Sequence, residues 1–231
     1  MRKRHGLLTI LPAAMTILAG GCGVNHGRSA LDDDRPSTPD ESLQALKDGN
    51  LRFATGDLRA NRGEIDRDEM AASQAPWAAV LRCADSRVAP EIIFDADKGE
   101  LFVTSVAGNF PTVDLIASME FAVLNLQTNL IVVCGHSGCG AIEAAIAFGE
   151  DPDALPGSLP HLVEALQSPC VQGVAVDEPG AVVGATRCSA AHGARNVLAM
   201  SDVLSEQAAK GNLRVVAAYF DIASGQVEFL D

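Results

Sequence analysis

Two short motifs in this chain combine residues that can hold a metal with residues that can manage a proton. The first reads Cys83-Ala84-Asp85-Ser86-Arg87 and the second Gly135-His136-Ser137-Gly138-Cys139-Gly140. Two thiolates and an imidazole form a borderline-soft donor set suited to zinc, and three protein ligands leave a fourth position for water or substrate. Each motif alone is weak evidence, since Cys83 by itself reads as a buried core thiol. Asp85 and Arg87 admit two readings, a carboxylate kept ionised for catalysis or a local turn salt bridge. Cys139 stands at the start of a helix, where free N–H groups and the dipole favour a thiolate, and Gly138 and Gly140 let the backbone approach an ion.

The elements that must position these motifs can be read around them. Residues Trp77 to Leu81 and Leu130 to Cys134 are continuous apolar runs, which suit strands of a parallel sheet covered on both faces. Leu101 to Thr104 and Leu213 to Phe220 read as two more strands, and Val227 to Leu230, after Gly225, as a short antiparallel edge strand. Leu115, Ile116, Met119, Ala122, Val123 and Leu126 recur at helical spacing, which predicts a crossover helix between the second and third strands. Further helices are expected from Gly138 to Phe148 and from about Ala191 to Lys210, the latter stopped by Gly211. Near the start, Thr38, Pro39 and Glu41 form a capping box ahead of Leu43, Leu46, Leu51 and Phe53, a docking helix. The expected fold class is therefore α/β: a central, mostly parallel β-sheet flanked by helices, with an N-terminal docking helix. Chemistry in such open sheets gathers at the carboxyl ends of the strands, where both motifs fall.

With 231 residues and 48% hydrophobic content, the chain can bury one full core, assigned to residues 38–231. A formal net charge of -13 with no Lys/Arg cluster in the body excludes a nucleic-acid partner. The basic cluster is Arg2, Lys3 and Arg4, followed by an apolar run from Leu7 to Ala19 and by Gly20, Gly21 and Cys22. That order marks residues 1–21 as an export signal and places the protein in the periplasm or cell envelope. Ala19-Gly20-Gly21-Cys22 resembles a bacterial lipobox, although Leu18 stands one place further from the cysteine than that pattern favours. A lipid anchor on Cys22, an ordinary cleaved signal and a short single-span anchor all remain open. Residues 22–37, rich in Asp and Pro, read as a flexible tether.

Cys83-x-Asp85-Ser86-Arg87 followed by His136-x-x-Cys139 resembles the signature of the β-class carbonic anhydrases. The likeness runs from about Thr38 to Asp231, through Leu46-Lys47-Asp48-Gly49-Asn50, Arg52-Phe53, Pro90-Glu91-Ile92-Ile93-Phe94, Ala107-Gly108-Asn109 and Tyr219-Phe220-Asp221. It implies reversible hydration of carbon dioxide to bicarbonate and a proton by zinc-bound hydroxide, with one Zn2+ per subunit held by Cys83, His136 and Cys139. Asp85 and Arg87 match the family's catalytic dyad. In an open site the arginine holds the aspartate away from the metal, and in a closed site Asp85 is itself the fourth ligand. Gln74, Gly138, Phe102, Ala107 and Phe121 fall where the resemblance places substrate contacts, though such apolar residues also read as plain core. His26, His161 and His192 are candidate proton shuttles, and none is assigned. A homodimer or higher homo-oligomer with active sites near the subunit interface is also implied.

The chain departs from the family pattern at identifiable places. Ser105 stands where relatives commonly carry arginine before Ala-Gly-Asn, and Phe121 replaces a common tyrosine. The stretch from Ser168 to Ser189 matches poorly and contains Cys170 and Cys188, which could pair in an oxidising compartment, a question that spacing does not answer. Cys134 reads as a buried thiol. Two alternatives to carbon dioxide hydration follow: hydrolysis of carbonyl sulfide or carbon disulfide on the same fold, and a non-catalytic, zinc-stabilised bicarbonate-binding protein.

Overall fold

The computed structural model describes residues 35–59 and 67–230. The leader, Cys22 and most of the tether lie outside the described residues. Strands Ala78–Arg82 (β1), Leu101–Ser105 (β2), Leu130–His136 (β3) and Arg214–Phe220 (β4) are parallel, and Val227–Leu230 (β5) runs antiparallel at one edge, in the order β2-β1-β3-β4-β5. The eight α-helices among the described residues are Pro39–Thr55 (α1), Arg67–Ala72 (α2), Pro90–Ile93 (α3), Val113–Leu126 (α4), Gly140–Ala147 (α5), Leu159–Leu166 (α6), Ala181–Ala199 (α7) and Asp202–Ala209 (α8).

The apolar runs become central strands because both of their faces are covered. Every residue of β3 is buried. Alternate side chains divide between two clusters, as a two-residue period demands. Val80, Leu130, Val132, Ala218 and Phe220 pack with Leu43 and Leu46 of α1, whereas Ala79, Leu81, Ile131, Val133 and Ala217 pack with Ile116, Met119 and Val197 of α4 and α7. Leu46 is fully buried, so truncation to alanine there is expected to cost roughly 2–5 kcal/mol.

Thr38 caps α1 with both halves of the expected capping box present. The helix is then wired to distant chain by one buried amide. Asn50 donates to the carbonyls of Ile93 (3.0 Å) and Gly225 (2.9 Å) and accepts from the Val227 N–H (2.8 Å). Arg35, read as part of the tether, donates to the carbonyls of Pro76, Leu126 and Gln127. The described chain is thus bonded to the body as far back as Arg35.

The helix expected from Ala191 to Lys210 is in fact two. α7 begins at Ala181 and ends at Ala199, and α8 starts at Asp202. Ser201 breaks the run because its hydroxyl accepts from the Leu204 N–H and donates to Glu120, a cap that overrides the apolar periodicity. Upstream, Cys170 and Cys188 are joined as a disulfide with Cα atoms 5.5 Å apart, tying the loop after α6 to α7.

Candidate metal centre

The two motifs meet at the carboxyl end of the sheet. β1 and β3 are adjacent and in register, with Arg82 opposite Cys134, so the residues after β1 and the last residue of β3 arrive side by side. Cys83 follows β1, His136 closes β3 and Cys139 caps the N-terminus of α5. Their ligand atoms lie within 4.8 Å of one another, and all three residues are buried.

The donor set passes three tests for zinc. The Cys83 and Cys139 Sγ atoms are 4.0 Å apart. Zinc–sulfur bonds of about 2.3 Å at a tetrahedral angle call for roughly 3.8 Å. His136 Nδ1 sits 3.0 Å from the Ser137 carbonyl, which can only accept, so Nδ1 carries the hydrogen and Nε2 presents its lone pair. Nε2 is buried and has no hydrogen-bond partner among the described residues, an orphan that a metal ion would satisfy.

Electrostatics agree. The thiol proton of Cys139, aimed at Cys83, brings the Cys83 pKa down to about 4, and the N–H of Gly108, 3.3 Å away, adds to that effect. Holding that shared proton and being buried push Cys139 up. Burial works to lower the pKa of His136, but the Cys83 thiolate outweighs it and raises the net value. Protons are thus gathered where a dication would sit. Gly108 can bring its N–H this close because it lacks a side chain: a Cβ there would stand 2.8 Å from Leu166.

Asp85 stands beside the trio. Arg87 grips both carboxylate oxygens, Nε to Oδ1 at 2.9 Å and Nη2 to Oδ2 at 2.6 Å, and its backbone N–H adds a third bond. These hydrogen bonds hold the Asp85 carboxyl well below the usual carboxylate range despite partial burial. Asp85 Oδ2 lies 4.0 Å from His136 Nε2. Arg87 also donates to the Gly138 carbonyl at 3.3 Å, joining the two motifs, and Gly138 makes that turn at φ +62, a left-handed angle that side chains resist. Ser137 is pinned in turn: its N–H donates to Phe220 and its hydroxyl accepts from Ile222.

The remaining residues expected to contact substrate are distributed unevenly. Ala107 directly precedes Gly108 and is half-buried at the site. Phe102, near the start of β2, packs into the cluster beneath α4 and α7 rather than the one that contains Cys83 and Cys139. Phe121 is 50% exposed on the outer face of α4. Gln74 is exposed ahead of β1, at the opposite end of that strand from Cys83. Within one chain Gln74 and Phe121 are not gathered with the ligands. Cys134 is the buried thiol expected, its pKa pushed up to about 12 by burial. One residue escaped the sequence reading: Arg82, whose Nη1 donates to the carbonyls of Cys83 (2.8 Å) and Asp85 (3.2 Å). The available signal was a charge closing an otherwise apolar strand.

An open parallel sheet with two thiolates, an imidazole and an ion-paired carboxylate at its strand ends defines a mononuclear zinc enzyme. The carbonic anhydrase family model matches residues 78–227. Carbonic anhydrase 2 of Mycobacterium tuberculosis is 36% identical over 198 residues, spanning 85% of this chain and 95% of that protein. A Coccomyxa β-carbonic anhydrase, solved in complex with acetazolamide, aligns with a TM-score of 0.62 and 25% identity over 81% of this chain and 86% of its own. One of two tetrameric β-carbonic anhydrases from Sordaria macrospora aligns with a TM-score of 0.64 and 24% identity, over 82% and 96% of the two chains. The chain belongs to the carbonic anhydrase family, in its β class.

Proposed function

We propose that the protein hydrates carbon dioxide at the Cys83–His136–Cys139 centre, giving bicarbonate and a proton. The observation that carries this reading is the Asp85 carboxylate, gripped through both oxygens by Arg87 and standing 4.0 Å from His136 Nε2. Cys83, His136 and Cys139 would hold zinc, which supplies Lewis acidity that brings the pKa of water at the open fourth position to about 7. Asp85, kept ionised by Arg87, accepts a hydrogen bond from the attacking water and turns its lone pair toward carbon dioxide. Arg87, occupied with both oxygens, keeps Asp85 off the fourth position, which supports an open resting site.

Oligomerisation belongs to the same reading. Val113, Phe121 and Leu124 form an exposed apolar strip on α4, 76%, 50% and 55% exposed, the kind of surface that a second copy covers. Gln74 and Phe121 would then serve the pocket of a neighbouring subunit. Export and a lipid anchor on Cys22 are supported by the order of the leader residues and by the Cys170–Cys188 disulfide, a bond that persists in oxidising compartments.

Stopped-flow hydration on the zinc-loaded full chain tests the activity. Turnover far above the buffer rate, and above turnover on carbonyl sulfide and carbon disulfide, is expected. A buffer-level rate would overturn the proposal.

A further inference from the structure

We propose that Arg82 is a positioning residue of the metal centre, holding the Cys83–Asp85 turn so that one thiolate and one carboxylate aim at the same point. This rests on the hydration reading above and adds the residue that shapes its ligand turn. Positions 78, 80 and 82 share one face of β1, and the first two carry Ala78 and Val80, both fully buried in the cluster that contains Cys83 and Cys139. A half-buried guanidinium on such a face is costly unless its donors are used. Its Nη1 is used twice, on the Cys83 and Asp85 carbonyls. Its Nε is buried and makes no hydrogen bond among the described residues, so the two turn carbonyls are the hydrogen-bond partners seen for this side chain.

The Cys83 carbonyl belongs to the last peptide of the β1 ladder, and the Asp85 carbonyl lies past its end. The last rungs are Val106 N–H to the Arg82 carbonyl and Ala84 N–H to the Val106 carbonyl. Beyond them, among the described residues, the turn is held from within by the Val88 N–H on the Asp85 carbonyl and from β1 by Arg82, which bonds the Cys83 and Asp85 carbonyls together. A carbonyl and a side chain share one Cα, so holding the carbonyls of Cys83 and Asp85 holds the directions in which their Cα–Cβ bonds leave the backbone, and only the side-chain rotamers remain to be set. Ser105 is the cross-strand partner of Arg82 on β2.

The test uses the full chain loaded with Co2+ or Zn2+. Arg82→Met is expected to shift the thiolate-to-cobalt absorption bands while the thermal midpoint stays at the wild-type value. Metal loss to a chelator should be about tenfold faster and kcat about tenfold lower, with KM within about twofold, the scale of a lost ligand-orienting contact. Arg82→Lys, which keeps charge and reach, should restore bands and metal retention. Wild-type spectra and retention in Arg82→Met would overturn the proposal, as would equal losses in both variants explained by a lower midpoint. If Arg82→Met does not fold, Arg82→Gln is read in the same way: shifted bands support the proposal and wild-type bands overturn it. Should the wild-type zinc protein fail to hydrate carbon dioxide, the functional reading falls, while the cobalt spectra still judge Arg82.

Discussion

Cys83 and Cys139 stand 56 residues apart in the chain and face each other across 4.0 Å, whereas Cys170 and Cys188, 18 residues apart, are bonded. One side-chain chemistry has two outcomes, and the surroundings account for the difference. The first pair is buried at the ends of two structural units, with His136 and the Gly108 N–H beside it. That arrangement gathers donors around a point. The second pair joins a loop to a helix, with Cys188 exposed and neither in the trio that could hold a metal. Metal binding and covalent crosslinking are thus separate devices, one for chemistry and one for stability.

The sharpest way to break this division is Cys83→Ser. Hydration should fall to the buffer rate and zinc should drop well below one per chain, while mass spectrometry under non-reducing conditions still finds Cys170 bonded to Cys188. Loss of that bond together with the metal would make the two pairs one unit. Asp85→Asn comes next: about a hundredfold lower kcat with zinc content unchanged, measured by stopped flow and metal analysis, because the ionised acceptor goes while the ligands stay. The converse experiment replaces Cys170 and Cys188 by serine. Opening an 18-residue crosslink should cost about 3 kcal/mol in denaturant unfolding and leave the hydration rate within about twofold.

The smallest effect concerns acid stability, which should belong to neither pair. Burial works to raise the pKa of Asp95, but Arg52, bonded at 2.6 Å, and the Arg59 N–H outweigh it, so the folded value lies below the ordinary one. A carboxylate depressed by folding contributes stability that is complete above the unfolded pKa, about 3.9, and is lost as pH falls through the folded value. The Asp95 share of the slope should be at most about 1.4 kcal/mol per pH unit. That share should be identical in the wild type and in the Cys170/Cys188 double serine variant and lost in Asp95→Asn, while the other depressed carboxylates, Asp85 among them, keep theirs. A different slope in the double serine variant would tie the disulfide to the α1 side of the molecule.

The strands and the zinc trio were legible because they rest on local chemistry: unbroken apolar runs, and soft ligands placed where those runs stop. The capping box at Thr38 was legible for the same reason. What escaped depends on partners that sequence does not bring together. Ser201 sits in a stretch whose apolar spacing favours one long helix, and only its contacts with Leu204 and Glu120 reveal the break. The pairing of Cys170 with Cys188 required a Cα separation, 5.5 Å, that spacing does not encode. Arg82 looked like the polar end of a strand until its two carbonyl partners were seen. Gln74 and Phe121, expected to contact substrate, do not meet the ligands within one chain, since one lies at the far end of β1 and the other faces outward.

The Asn50 amide has a consequence for synthesis. Its partners at Gly225 and Val227 lie 175 and 177 residues further along the chain, so α1 cannot complete its buried bonds until those residues have been made. The first helix among the described residues is therefore locked by residues made long after it, and a chain cut before Gly225 would keep α1 without those buried bonds.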